Sequence, residues 1–141
     1  MTDEPNSAET EAAISELATR LFDAARAGDP AMLAQYVDAG VPPDLANEKG
    51  DTLVMLAAYH GHDEVVRVLA RRGADVDRAN DRGQTPLAGA VFKGEDDVVD
   101  ALLAAGADPL AGHPTAVDTA TMFGREDLLE RFAPQERGAD D

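Results

Sequence analysis

Cysteine is absent from this 141-residue chain, and basic residues are scarce, 12 against 28 acidic ones. Without thiols there is no disulfide framework and no thiolate chemistry, which fits a reducing compartment. Long hydrophobic runs are also missing. No stretch reaches the roughly 18 apolar residues expected of a membrane-spanning helix, and the opening MTDEPNSAETEAA has neither a basic n-region nor an apolar h-region. A cytoplasmic location without membrane attachment is expected. The signatures of common catalytic sites are lacking too: there is no Gly-x-x-x-x-Gly-Lys-Ser/Thr loop, no Gly-x-Ser-x-Gly and no His-Glu-x-x-His. The expectation is a protein that is not an enzyme and takes no cofactor.

The formal charge is −16. A surface of that sign repels phosphate backbones and anionic membranes and speeds encounter with a basic partner, so direct nucleic-acid binding is not expected. The charge is uneven. Residues 1–16 carry −5, whereas 50–82 carry −1 because Arg67, Arg71, Arg72, Arg78 and Arg82 lie there. Solubility of a monomer accounts for such a charge as readily as recognition does.

What the chain does have is repetition. Gly28, Gly61 and Gly94 are 33 residues apart, Gly124 follows 30 residues later, and Gly40, Gly73 and Gly106 keep the 33-residue interval. A fixed period of this size marks a solenoid, whose units bury their apolar faces against one another. The apolar positions line up independently of the glycines: Met32, Val65, Val98 and Leu128 form one row, Leu33, Val66, Val99 and Leu129 the next, and Tyr36, Leu69, Leu102 and Phe132 a third. Within a unit these fall at i, i+1 and i+4, one buried stripe on a helix. Thr52, Thr85 and Thr115 are placed to cap a first helix, with Pro86 in its first turn. Ala57, Ala58 and Ala90 let helices approach closely. Gly61 and Gly94 end that helix in the left-handed conformation, and Gly73 and Gly106 do so for the second.

The unit running from Gly50 to Arg82, and again from Gly83 to Pro114, resembles the ankyrin repeat. The match runs through Gly50, Thr52, Leu56, Ala57, Ala58, Gly61, His62, Val65, Val66, Leu69, Gly73, Ala74 and Asp75, and in the next copy through Gly83, Thr85, Pro86, Leu87, Ala90, Gly94, Val98, Val99, Leu102, Leu103, Gly106, Ala107 and Asp108. The resemblance implies an all-α ankyrin-repeat solenoid of about four helix-loop-helix repeats with short extended turns. The expected layout is a tail over 1–9, repeats over about 17–49, 50–82, 83–114 and 115–133 in a domain from 10 to 133, and a second tail over 134–141. Ile14, Leu17, Leu21 and Ala24 extend the first helix upstream as an N-terminal cap. The looser end copies are expected, since each end has one face without a neighbour.

By the same resemblance the chain binds another protein, through the turn tips and the exposed face of the first helices. Carried over position by position, the candidate residues are Glu48, Lys49, Asp51, Tyr59 and His60, then Asp81, Arg82, Gln84, Phe92 and Lys93, then Met122 and Phe123. Tyr59, Phe92 and Met122 share one position of the unit and are expected side by side, as interface anchors or as part of the scaffold. His60 and His62 flank a helix-ending glycine and do not converge as metal ligands would, so no metal site is expected. The carboxylate pairs Asp63 with Glu64 and Asp96 with Asp97 follow turn glycines, where acids suit a helix N-terminus. Two departures from the family matter. Its Thr-Pro-Leu-His histidine is replaced by Met55, Ala88 and Asp118, removing its usual inter-repeat hydrogen bonds. The turn between Gly106 and His113 is three residues short, which predicts a truncated fingertip stiffened by Pro109 and Pro114.

Overall fold

In the computed structural model, which describes residues 7–133, the second, third and fourth units each start where a threonine hydroxyl caps the first helix. The N–H groups of Met55, Ala88 and Asp118 donate to Thr52, Thr85 and Thr115. Thr52 and Thr85 are buried, so each cap satisfies a donor that water cannot reach. Asp118 returns the bond to the Thr115 N–H and completes a capping box. Among the described residues there are eight helices and no strands: α1 Ser7–Ala27, α2 Pro30–Asp38, α3 Leu53–Tyr59, α4 Asp63–Arg71, α5 Pro86–Lys93, α6 Asp96–Ala104, α7 Ala116–Met122 and α8 Glu126–Phe132.

The helices pair as α1 with α2, α3 with α4, α5 with α6 and α7 with α8. The odd-numbered helices stack in one row and α2, α4 and α6 in a second, as a solenoid requires. The carboxylates of Asp63 with Glu64 and of Asp96 with Asp97 lie in the first turns of α4 and α6. In the central units Val65, Val66, Leu69, Val98, Val99 and Leu102 are all fully buried. At the ends Leu33, Leu128 and Phe132 are buried, but Met32, Tyr36 and Leu129 are only partly so, because one side has no neighbouring repeat.

The upstream stripe is shorter than its sequence suggests. Leu21 and Ala24 are buried and Leu17 partly so, but Ile14 is 62 % exposed. The 21-residue α1 is about 31 Å long, three times the length of α3, so its N-terminal half overhangs the stack. Residues 7–9 are helical and not part of a tail; residues 1–6 and 134–141 lie outside the described residues.

The glycine after α3 is held by two requirements at once. Gly61 has φ +83°, and a Cβ there would sit 2.7 Å from a carboxylate oxygen of Glu95 in the next repeat. Gly28 repeats the arrangement one unit earlier: φ is +83° and a Cβ would meet the His62 ring at 2.5 Å. That ring donates from Nε2 to the Arg26 carbonyl at 2.8 Å, so His62 serves as a strut between repeats.

Candidate functional site

The turns ahead of α3 and α5 are built by asparagine. Asn47 Oδ1 accepts from the N–H groups of Lys49 and Asp51 at 2.9 and 3.0 Å, and Asn80 Oδ1 accepts from those of Arg82 and Gln84 at 2.9 and 3.0 Å. Such side-chain turns hold a fingertip without help from the rest of the fold. Neighbouring fingers are then tied together. The Asp81 N–H donates to the Lys49 carbonyl at 3.0 Å, and Asn80 Nδ2 donates to Asp51 Oδ1 at 2.8 Å.

The third finger has no equivalent asparagine. Its chain turns at Gly112, where a Cβ would lie 2.7 Å from Thr85 Cγ2, and the His113 N–H donates to the Gly83 carbonyl at 2.9 Å. The shortened turn therefore joins the row of fingers without reproducing their tips.

Between these fingers and the first-row helices runs a trough in two adjoining parts. The first, about 390 Å³, lies between two fingertips and is lined by Glu48, Lys49, Asp51, Asp81, Arg82 and Gln84, with Met55, Leu56, Tyr59 and Asn80 at its base and sides. The second, about 190 Å³, shares Met55, Tyr59 and Gln84 and continues over Ala88 and Gly89 to Phe92, Pro114 and Thr119. Eight of the twelve candidate residues thus line one trough.

The other four, His60, Lys93, Met122 and Phe123, lie beside it. Lys93 Nζ sits 4.9 Å from the centre of the Tyr59 ring, a cation–π contact. His60 meets Tyr59 edge-on at 5.8 Å, and Phe123 meets Phe92 edge-on at 5.6 Å. Desolvation, with Arg26, His62 and Lys93 nearby, holds the His60 pKa below its ordinary value. Exposure resolves the aromatic row: Tyr59 is 38 %, Phe92 57 %, Phe123 49 % and Met122 70 % exposed, so these side chains face solvent rather than completing the core.

Sequence reasoning missed the floor. Leu56, Gly89 and Thr119 share one position of the unit, and Met55 and Ala88 share the position before it. The signal was present, since the side chain at that position vanishes only in the third copy. Sequence reasoning also missed a ladder in the turns on the α2–α4–α6 side. Asp44 Oδ1 accepts from the Asp75 N–H at 2.7 Å, and one unit later Asp77 Oδ1 accepts from the Asp108 N–H at 2.8 Å. Burial raises the Asp77 pKa; the Asp108 N–H bond opposes this, and the charges of Asp108 and Asp75 add to it. Ion pairs span the same side. Arg72 pairs with Asp38 through two bonds, Arg125 with Asp96, and Arg131 with Asp100. Hydrogen bonds between repeats are therefore supplied by backbone, asparagine, aspartate, arginine and the His62 ring, in place of the histidine missing from the Thr-Pro-Leu-His position.

The arrangement can offer a preshaped trough, an apolar row and a charged rim. Among the described residues no three His, Asp or Glu side chains converge as metal ligands would, and no helix is long and apolar enough to cross a membrane.

Comparison with known proteins agrees with this geometry. The family model described as ankyrin repeats (3 copies) matches residues 21–113. An ankyrin repeat protein of Pseudomonas aeruginosa is 47 % identical over 68 residues, 48 % of this chain and 39 % of that protein. Human ankyrin repeat domain-containing protein 29 is 45 % identical over 60 residues, 42 % of this chain and 20 % of its own length. An ankyrin repeat-containing protein of Schizosaccharomyces pombe is 30 % identical over 62 residues, 44 % of this chain and 30 % of its own. The chain thus spans less than half the length of each of these relatives. With a family match over most of the chain and a stack of helix pairs with linked fingers, the protein belongs to the ankyrin repeat family.

Proposed function

We propose that this chain is a non-catalytic protein-binding module, an adaptor or inhibitor that holds its partner on the concave face formed by the fingers and α3, α5 and α7. The observation that carries this reading is the continuous trough beside an exposed row of Tyr59, Phe92, Phe123 and Met122. Aromatic and methionine side chains next to arginine are the usual stuff of interface hot spots. The links between fingers hold the surface in place before a partner arrives, which lowers the entropic cost of binding. On this reading the chain works as a cytoplasmic monomer, kept dispersed by its charge of −16.

Crosslinking tests it. A photoreactive residue at Phe92 is expected to capture a specific partner from the native host, and the same residue at Arg71 on α4 is not. Capture from Arg71 alone would move the site to the other side of the solenoid.

A second reading is favoured by the charge: an acidic regulator that masks a basic nucleic-acid-binding or catalytic surface of its partner. It would bind through charge over a wide area, so its affinity would fall steeply with salt, whereas the apolar anchors of the first reading predict only a modest fall.

A further inference from the structure

The fourth repeat is joined to the third differently from the way the central repeats join each other. α4 lies close against both α2 and α6, but α8 does not approach α6 with that closeness and rests mainly on α7. Leu128 and Phe132 are its buried residues, while its outer side borders an open apolar hollow of about 400 Å³ lined by Pro109, Leu110, Val117 and Leu129. An element with one open side and one loosely packed side belongs to the low-stability end of a fold.

Charge bridges the looser junction. α6 carries Asp96, Asp97 and Asp100 and no base, and α8 carries Glu126, Asp127 and Glu130. Two arginines offset these carboxylates. Nη2 of Arg125, the N-cap of α8, donates to Asp96 at 3.1 Å and to Asp127 at 3.0 Å, and Arg131 reaches Asp100 at 2.7 Å. The bonds to Asp127 and Asp96 raise the Arg125 pKa, and the Arg125 bond lowers that of Asp127. Among the described residues no ion pair joins α4 to α6, where the helices pack closely. Exposed pairs contribute little one at a time. Removing both arginines does more than remove two pairs, because it leaves two acidic helices next to one another with no counter-charge.

We propose that Arg125 and Arg131 are the clamps of a separately opening end: they hold α8 against an acidic α6, and without them α8 comes away while the first three repeats stay closed. The exposed aromatic row depends on this end. α8 backs α7, which leads into Met122 and Phe123, and the Phe123 ring meets that of Phe92. Release of α8 leaves α7 supported by α5 alone and loosens that end of the row.

Hydrogen exchange of the full chain, followed by mass spectrometry in low salt and at about 1 M NaCl, where the screening length is about 3 Å, tests it. In the wild type α8 is expected to exchange faster than α4. In the double variant Arg125→Gln, Arg131→Gln at low salt, α8 should exchange about 10-fold faster than in the wild type, with α4 unchanged. Salt should recover most of the protection in this variant, because only repulsion then separates the helices. If the double variant unfolds throughout, the single Arg131→Gln is expected to show a smaller loss, confined to α7 and α8 and likewise recovered by salt. Equal protection of α4 and α8 in the wild type overturns the separate opening, and unchanged α8 exchange in the variants overturns the clamps. A loss that salt does not recover overturns them too, since it marks lost packing of the arginine stems rather than lost charge.

Discussion

Leu69→Ala is the sharpest test of the stack, because Leu69 is fully buried in α4 and belongs to the row that also holds Tyr36, Leu102 and Phe132. The change removes three carbon groups, worth about 2.5 kcal/mol at roughly 0.8 kcal/mol each. Its neighbours have little freedom to close the gap. Val65, Val66 and Leu102 are themselves fully buried, and α4, which carries the first two, is held between α2 and α6. If some 40 Å³ stays empty, the cavity adds about 1 kcal/mol, for a total near 3.5 kcal/mol. Urea denaturation followed by circular dichroism is the assay, since the helices dominate the signal. Leu129→Ala provides the contrast: the residue is only partly buried at the open end of the stack, and about 1 kcal/mol is expected. The expected result is a lower midpoint for Leu69→Ala with the slope of the transition unchanged. A loss below about 1 kcal/mol for Leu69→Ala, or equal losses for the two variants, would refute the continuous row of contacts.

Four further outcomes follow from local features. Thr85→Ala removes a buried N-cap and leaves the Ala88 N–H without its acceptor, so a loss of about 1 to 2 kcal/mol is expected in the same titration. Gly89→Ala is expected to stabilise the chain by about 0.5 to 1 kcal/mol, whereas Gly61→Ala should destabilise it through its positive φ and the Glu95 carboxylate beside it. Because the folded state raises the Asp77 pKa, its contribution to stability is present below the ordinary carboxylate value of about 3.8 and is lost as pH rises through the folded value. Asp77→Asn keeps an oxygen acceptor for the Asp108 N–H, so it should stabilise the chain at neutral pH, with the gain shrinking in acid; equal effects across the pH range would contradict the raised pKa.

The repeat was legible because each unit is specified locally. The capping threonines, the i, i+1, i+4 stripe and the helix-ending glycines act within about a dozen residues, and both central copies carry all of them. The finger residues were legible by the same route, since position within the unit puts Glu48, Lys49, Asp51, Asp81, Arg82 and Gln84 at the turns. The trough floor was not. Met55, Ala88 and Gly89 read as helix interior, and only the lateral stacking of α3, α5 and α7 makes them the bottom of a cleft. The Asp44 and Asp77 ladder was hidden for a related reason. Its partners are 31 residues apart, and nothing in a single unit shows which backbone N–H a turn carboxylate will meet.

Sequence alone determined the period, the helices, their caps and the buried rows, because those depend on interactions within a unit or between identical positions of neighbouring units. Tertiary structure decided where the stack stops burying its residues and how the fingers link. It also decided that an exposed aromatic row borders a trough over Gly89. These depend on which side chains from different repeats converge on one point, and where each end of the array lacks a neighbour. A pattern repeated along the chain does not contain that information until the repeats are placed side by side.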